Sequence, residues 1–130
     1  MKKDKMYQLS HVHLLQRLWK SELETVQIEV NYFLSVVQDF RKNENISERA
    51  KVDLLAFNDQ FYHYKRLITN ILTEIKQIDA ELANGVLNDD ILNEESKKDH
   101  QYLKGEMDYF EYDYHQIKKE FKEFVKNLKI

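Results

Sequence analysis

No cysteine occurs in this chain of 130 residues, so disulfides and thiol chemistry are excluded and the redox compartment stays open. Proline is absent as well, and the only glycines are Gly85 and Gly105. With so few residues that break helices or supply tight turns, the chain has room for few elements, each of them long. No long apolar run is present, so no segment reads as a membrane span. The start, Met1-Lys2-Lys3-Asp4-Lys5, is positive, but Gln8, Ser10, His11 and His13 interrupt the stretch behind it, which does not read as a signal peptide. A net charge of −3 offers no basic face, so nucleic acid is not an expected partner. A cytoplasmic setting is the default expectation.

What the chain does contain is 42% apolar and 33% charged residues, the mix of one folded domain, spanning 1–130, with a highly charged surface. The apolar residues step by three and four along three segments. Leu9, Val12, Gln16, Trp19, Leu23, Val26, Val30, Phe33, Val37 and Phe40 form the first series, in which only Gln16 is polar. Ala50, Leu54, Phe57, Phe61, Tyr64, Ile68, Ile71, Ile75, Ile78 and Leu82 form the second without a break. His100, Leu103, Met107, Phe110, Tyr114, Ile117, Phe121, Phe124 and Leu128 form the third, led by a polar member. A repeat of about 3.5 residues, held this long, belongs to helices that pack along most of their length at a shallow angle.

The breaks carry matching chemistry. Asn45 or Ser47 can cap a second helix, with Glu48 completing a capping box to Asn45. Asn84-Gly85 reads as its stop. Asn88, Asp89 and Asp90 offer a cap and negative charge to the third helix, although the polar stretch Asn93 to Asp99 allows it to start late. The expected fold is all-α: an elongated antiparallel three-helix bundle, up-down-up with coiled-coil-like packing, its helices near 5–43, 47–84 and 89–128. Aligning the helices by turns puts Val26, Tyr64 and Tyr114 in one layer, and Gln16 about a turn from His100 in another.

Candidate chemistry is sparse. The residues three before His63, His100 and His115 are Gln60, Lys97 and Tyr112, so the Glu-x-x-His element of di-iron bundles is missing. His11 and His13, two apart, point to nearly opposite sides of a helix. One metal or small-ligand candidate remains: His13, Gln16 and His100 at the bundle end. The plainer reading of that layer is a polar pair that sets register. Glu22 and Glu29 flank the tyrosine layer; an acid–base pair is conceivable there, but the plainer role is accepting hydrogen bonds from the Tyr64 and Tyr114 hydroxyls. There is no phosphate loop and no nucleophile motif, so neither an enzyme nor a cofactor is expected.

Apolar residues also occur away from the core series. Leu14, Leu18, Ile28 and Tyr32 form a second stripe on the first helix, with Ser21, Thr25 and Ser35 between them. On the third helix Tyr102, Gly105, Tyr109 and Tyr112 occupy an outward face. A bundle helix needs one apolar stripe, and a second points to another covered surface, although scattered exposed tyrosines are common. The functional expectation is therefore a non-enzymatic interaction module, self-associating or binding a helical protein partner through the outer faces of the first and third helices. The alternative is a metal- or small-ligand-binding bundle that uses the histidine layer.

Leu18-Trp19-Lys20-Ser21-Glu22-Leu23, followed on the second helix by Phe57-Asn58-Asp59-Gln60-Phe61, resembles a set of small bacterial helical-bundle proteins of unknown function that pair a Trp-x-x-Glu-Leu element with a Phe-x-x-Gln-Phe element at similar separation. The resemblance covers the first two helices and implies the same fold, without implying an activity. The general shape is also similar to spectrin-like triple-helical repeats.

Overall fold

Each apolar series becomes one helix in a computed structural model, which describes residues 2–87 and 94–129. The helices are α1 (Lys2–Arg41), α2 (Glu48–Leu87) and α3 (Glu94–Asn127). Helix α2 packs against both α1 and α3. Side chains join the outer two helices directly: the rings of Phe33 and Phe121, and those of Trp19 and His100, lie with centroids 5.3 Å apart. Thus α1 and α3 run parallel to each other and antiparallel to α2, as the short connection after α1 requires.

The core follows the three series. Leu23, Val30, Val37, Leu54, Phe61, Ile68, Leu103 and Met107 are sealed from solvent, and every member of the α2 series is buried except Phe57, which is partly so. Where α1 ends and α2 begins, Phe33, Phe57, Phe61, Phe121 and Phe124 form one aromatic cluster, with neighbouring centroids as close as 5.0 Å for Phe61 and Phe121. Edge-on pairs of this kind add roughly 0.5–1.5 kcal/mol each beyond the area they bury. The opposite end of the bundle has the polar layer instead. Ile46 and Leu34 also enter the core. Neither belongs to a series: Ile46 stands alone among polar residues, and Leu34 sits one place off the seam.

The connection between α1 and α2 decides between the two capping candidates. The Ala50 amide donates to Ser47 Oγ at 3.1 Å, and the Lys51 amide donates to the Ser47 carbonyl at 3.1 Å, so Ser47 is the N-cap. Asn45 does not cap, and its expected box with Glu48 is not formed. Its own amide instead donates to Asn43 Oδ1 at 2.9 Å, a local turn that occupies this segment before the helix starts. Glu48 pairs forward with Lys51.

Helix α2 does not stop at Asn84-Gly85 but continues to Leu87. A glycine inside a helix costs only about 1 kcal/mol, less than packing along a long seam recovers. Asn88, Asp89 and Asp90, expected to cap α3, lie outside the described residues, as does its expected start near 89. From Glu94 the polar stretch is helical, its first turn braced by Lys97 with Glu94 at 3.6 Å and by the burial of Ser96.

Removing the cap isolates its contribution. Ser47→Ala should lower unfolding free energy by about 1 kcal/mol in urea titrations, while Asn45→Ala should cost markedly less. Equal losses would mean that the turn, rather than the Ser47 hydroxyl, holds the start of α2.

Candidate functional site

The tyrosine layer forms as expected, with a different set of acceptors. The Tyr64 and Tyr114 rings meet edge-on at 5.6 Å, both buried. Tyr114 donates to Glu29 Oε1 at 3.0 Å, and Lys118 Nζ reaches Glu29 Oε2 at 2.6 Å. Tyr64, however, donates to Asp113 Oδ2 of α3 at 2.7 Å, not to Glu22 or Glu29. Helix α2 faces the Asp113 side of α3, whereas the glutamates of α1 face its other side. Burial and the adjacent carboxylates hold both phenols well above their usual range. Burial alone would raise the Glu29 carboxyl, but the Lys118 ammonium and the two hydrogen bonds hold it below the usual value. The shifts move hydroxyl and carboxylate apart, so proton exchange between them near neutral pH is uphill.

At the other end Gln16 Nε2 lies 3.5 Å from His100 Nδ1, and the imidazole stacks on Trp19. Gln16 is 0% exposed, and its Oε1 is buried without a hydrogen-bond partner among the described residues. Burial first, then the charges of His11 and Lys104, keeps the His100 pKa below its usual value, so the ring is neutral at pH 7. His13 does not join this pair. It shares a groove with Leu9, Asp79 and Leu82, whereas His11 lines the groove that holds His100 and Lys97. Two residues apart on a helix, the histidines turn to opposite flanks, and α2 takes one while α3 takes the other. Among the described residues no group of three or more His, Cys, Asp or Glu could hold a metal ion.

Sequence reasoning missed a set of paired acids between helices. Glu111 hydrogen-bonds with Glu22, Glu106 with Glu74, and Glu81 with Asp99. Their spacing was a usable signal. Glu22 and Glu29 are seven apart on α1, as are Glu111 and Lys118 on α3, so one parallel register makes an acid pair at the first level and an ion pair at the second. Glu74 and Glu81 on α2 are likewise seven apart, matching Glu106 and Asp99 on α3. Burial, then the hydrogen bond and charge of the partner acid, pushes Glu106 and Glu111 up to about 7, from 4.5 for a free glutamate.

The outer stripe of α1 is open to solvent: Leu14 and Leu18 are each 56% exposed, Ile28 72% and Tyr32 65%. Between them Thr25 Oγ1 donates to the Ser21 carbonyl and Ser35 Oγ to the Asn31 carbonyl, which folds both hydroxyls onto their own helix. On α3, Tyr102, Tyr109 and Tyr112 are each 69% exposed, and a Cβ at Gly105 would meet nothing within 4 Å. The two stripes border different neighbours. Leu18, Thr25 and Tyr32 lie three or four residues from Glu22 and Glu29, which meet α3. Tyr102 and Tyr109 lie three or four residues from Asp99, Glu106 and Asp113, which meet α2. Among the described residues no helix is long and apolar enough to cross a membrane.

A carboxyl raised in the fold costs stability wherever it is ionised there, so this cost is full above pH 7 and vanishes as pH falls from 7 toward 4.5. Urea midpoints should therefore rise on mild acidification, and Glu111→Gln should add about 1 kcal/mol near pH 8, allowing for solvent screening, while flattening the pH profile. Gln16→Leu combined with His100→Leu should preserve or raise stability in the same assay, with any loss appearing as altered register or oligomeric state. A double variant that does not fold would show that the pair holds the bundle together.

No family model, curated protein or solved structure matches the chain, so its surfaces and buried groups carry the functional argument.

Proposed function

We propose that this chain is a non-enzymatic interaction module, working in the cytoplasm, that self-associates through the outer faces of α1 and α3. The observation that supports it is the open outer face of α1, where one pair, Leu14 and Leu18, and a second pair ten residues on, Ile28 and Tyr32, are each more than half exposed. Scattered exposed apolar residues need no explanation, but two such pairs on one helix face, with Ser21 and Thr25 between them, make a surface on which another helix can lie. The polar groups leave little for chemistry. The tyrosine hydroxyls are bonded to Glu29 and Asp113, and His100 is engaged by Gln16 and Trp19. The tyrosines of α3 add amphipathic rings of the kind enriched at interfaces.

Light scattering coupled to gel filtration tests the reading. The chain at tens of micromolar should elute at more than its 15.8 kDa monomer mass. Leu18→Glu with Ile28→Glu should return it to the monomer with unchanged helical circular dichroism, because neither side chain is in the core. A wild-type chain that stays monomeric overturns self-association.

A further inference from the structure

We propose that residues 94–111 of α3 form a proton-held arm, docked on α1 and α2 by hydrogen bonds between carboxyls and released when their protons are lost, while residues 113–127 stay docked. The three acid pairs all lie in this part of the helix. Glu111 faces Glu22 of α1, Glu106 faces Glu74 of α2, and Asp99 faces Glu81 of α2. Asp108 adds negative charge beside the first pair and Glu95 beside the last. Among the described residues no base bonds to any of these six carboxyls. Lys97 pairs with Glu94 instead, and the charges of His11 and Lys104 act on His100. A hydrogen bond between two carboxyls needs one proton, so each pair becomes a bare like-charge contact when that proton leaves.

Beyond Tyr112 the attachments change. Asp113 accepts from the Tyr64 hydroxyl, and Glu29 joins both Tyr114 and Lys118. The Phe121 ring lies within 5.3 Å, centroid to centroid, of Phe33, Phe57 and Phe61. None of these contacts depends on a proton shared between acids. The aromatic cluster gives this half its apolar grip, whereas the arm sets Ser96 and His100 at two of its inward positions. Gly105 marks the arm independently. It is the one glycine of α3, and a Cβ there would meet nothing within 4 Å. Packing therefore gives no reason for glycine, whose effect is to weaken the helix inside the arm. A segment this short does not hold a helix in water once undocked, so release unwinds it and opens the layer of Gln16, Trp19 and His100.

Hydrogen–deuterium exchange of the full chain, read by mass spectrometry as protection relative to the intrinsic rate at each pH, separates the two halves. Glu106 and Glu111 titrate at about 7, against 4.5 for a free glutamate, so the docked arm holds more protons than the released one. Docking therefore weakens as pH rises from 4.5 through 7. Between about pH 6.5 and about pH 8.5, protection in 94–111 should fall roughly five-fold, allowing for solvent screening, with 113–127 unchanged. His100, kept neutral by burial, favours docking as pH rises, so it does not produce this fall. Glu106→Gln with Glu111→Gln should remove the pH response, because an amide donates to the partner carboxylate at any pH. Should those substitutions prevent folding, Glu22→Gln with Glu74→Gln tests the same bonds from the other side. Gly105→Ala should raise protection in the arm roughly five-fold at both pH values. Equal loss of protection in both halves would show a uniform loss of stability and overturn the arm. A pH response that survives the glutamine substitutions, or none in the unaltered chain, would overturn the part given to the acid pairs.

Discussion

Continuous burial of three apolar seams, each longer than any ordinary globular helix supplies, is the constraint on which the rest of this molecule depends. Leu23, Val30, Phe61, Ile68, Leu103 and Met107 are sealed from solvent only because the helices stay in contact along their length. Such contact leaves no freedom of register, since sliding one helix by a residue would turn its seam to water. Every side chain flanking a seam is therefore held opposite one particular residue of its neighbour, whether or not the two suit each other.

The flanking pairs show both outcomes. Glu29 finds Lys118 and Tyr114, and one heptad away Glu22 finds Glu111. The first pairing holds a carboxylate ionised, and the second holds a proton near neutral pH. Glu74 with Glu106 repeats the second outcome between α2 and α3, and burial with the neighbouring Asp99 also holds the Glu81 carboxyl above its usual range. The apolar seam outweighs these like-charge contacts, so the bundle tolerates a row of acids that isolated helices would separate. Stability that increases on mild acidification is the natural consequence, the reverse of the usual effect of protonating well-paired carboxylates.

The two ends of the bundle differ in the same way. One is filled by five phenylalanines that interlock at edge-on and tilted angles. The other has Gln16, Trp19 and His100, where a buried amide oxygen lacks a partner among the described residues. A polar layer in a seam gives up stability but limits the registers in which the helices can close, since any slip would bury the Gln16 amide against apolar side chains. The outer face of α1 leaves Leu14, Leu18, Ile28 and Tyr32 more than half exposed, on the side opposite the core.

Helical period and burial were determined by the sequence alone. The three-and-four stepping of apolar residues predicts all three helices, nearly every core residue, the shared layer of Tyr64 and Tyr114, and the approach of Gln16 to His100. Helix ends were less legible: Ser47 rather than Asn45 caps α2, and Gly85 does not stop it, because local hydrogen-bond geometry and seam length decide such points together. Only the tertiary structure decided which flank of each seam meets which neighbour. An apolar repeat specifies the inward face of a helix, but it is indifferent to whether the third helix closes on the left or the right of the first two. That choice sends Tyr64 to Asp113 instead of a glutamate of α1, puts His11 rather than His13 beside His100, and matches Glu22 with Glu111. The partners of flanking residues depend on the handedness of the bundle, and handedness is set by the packing of side chains across all three helices at once.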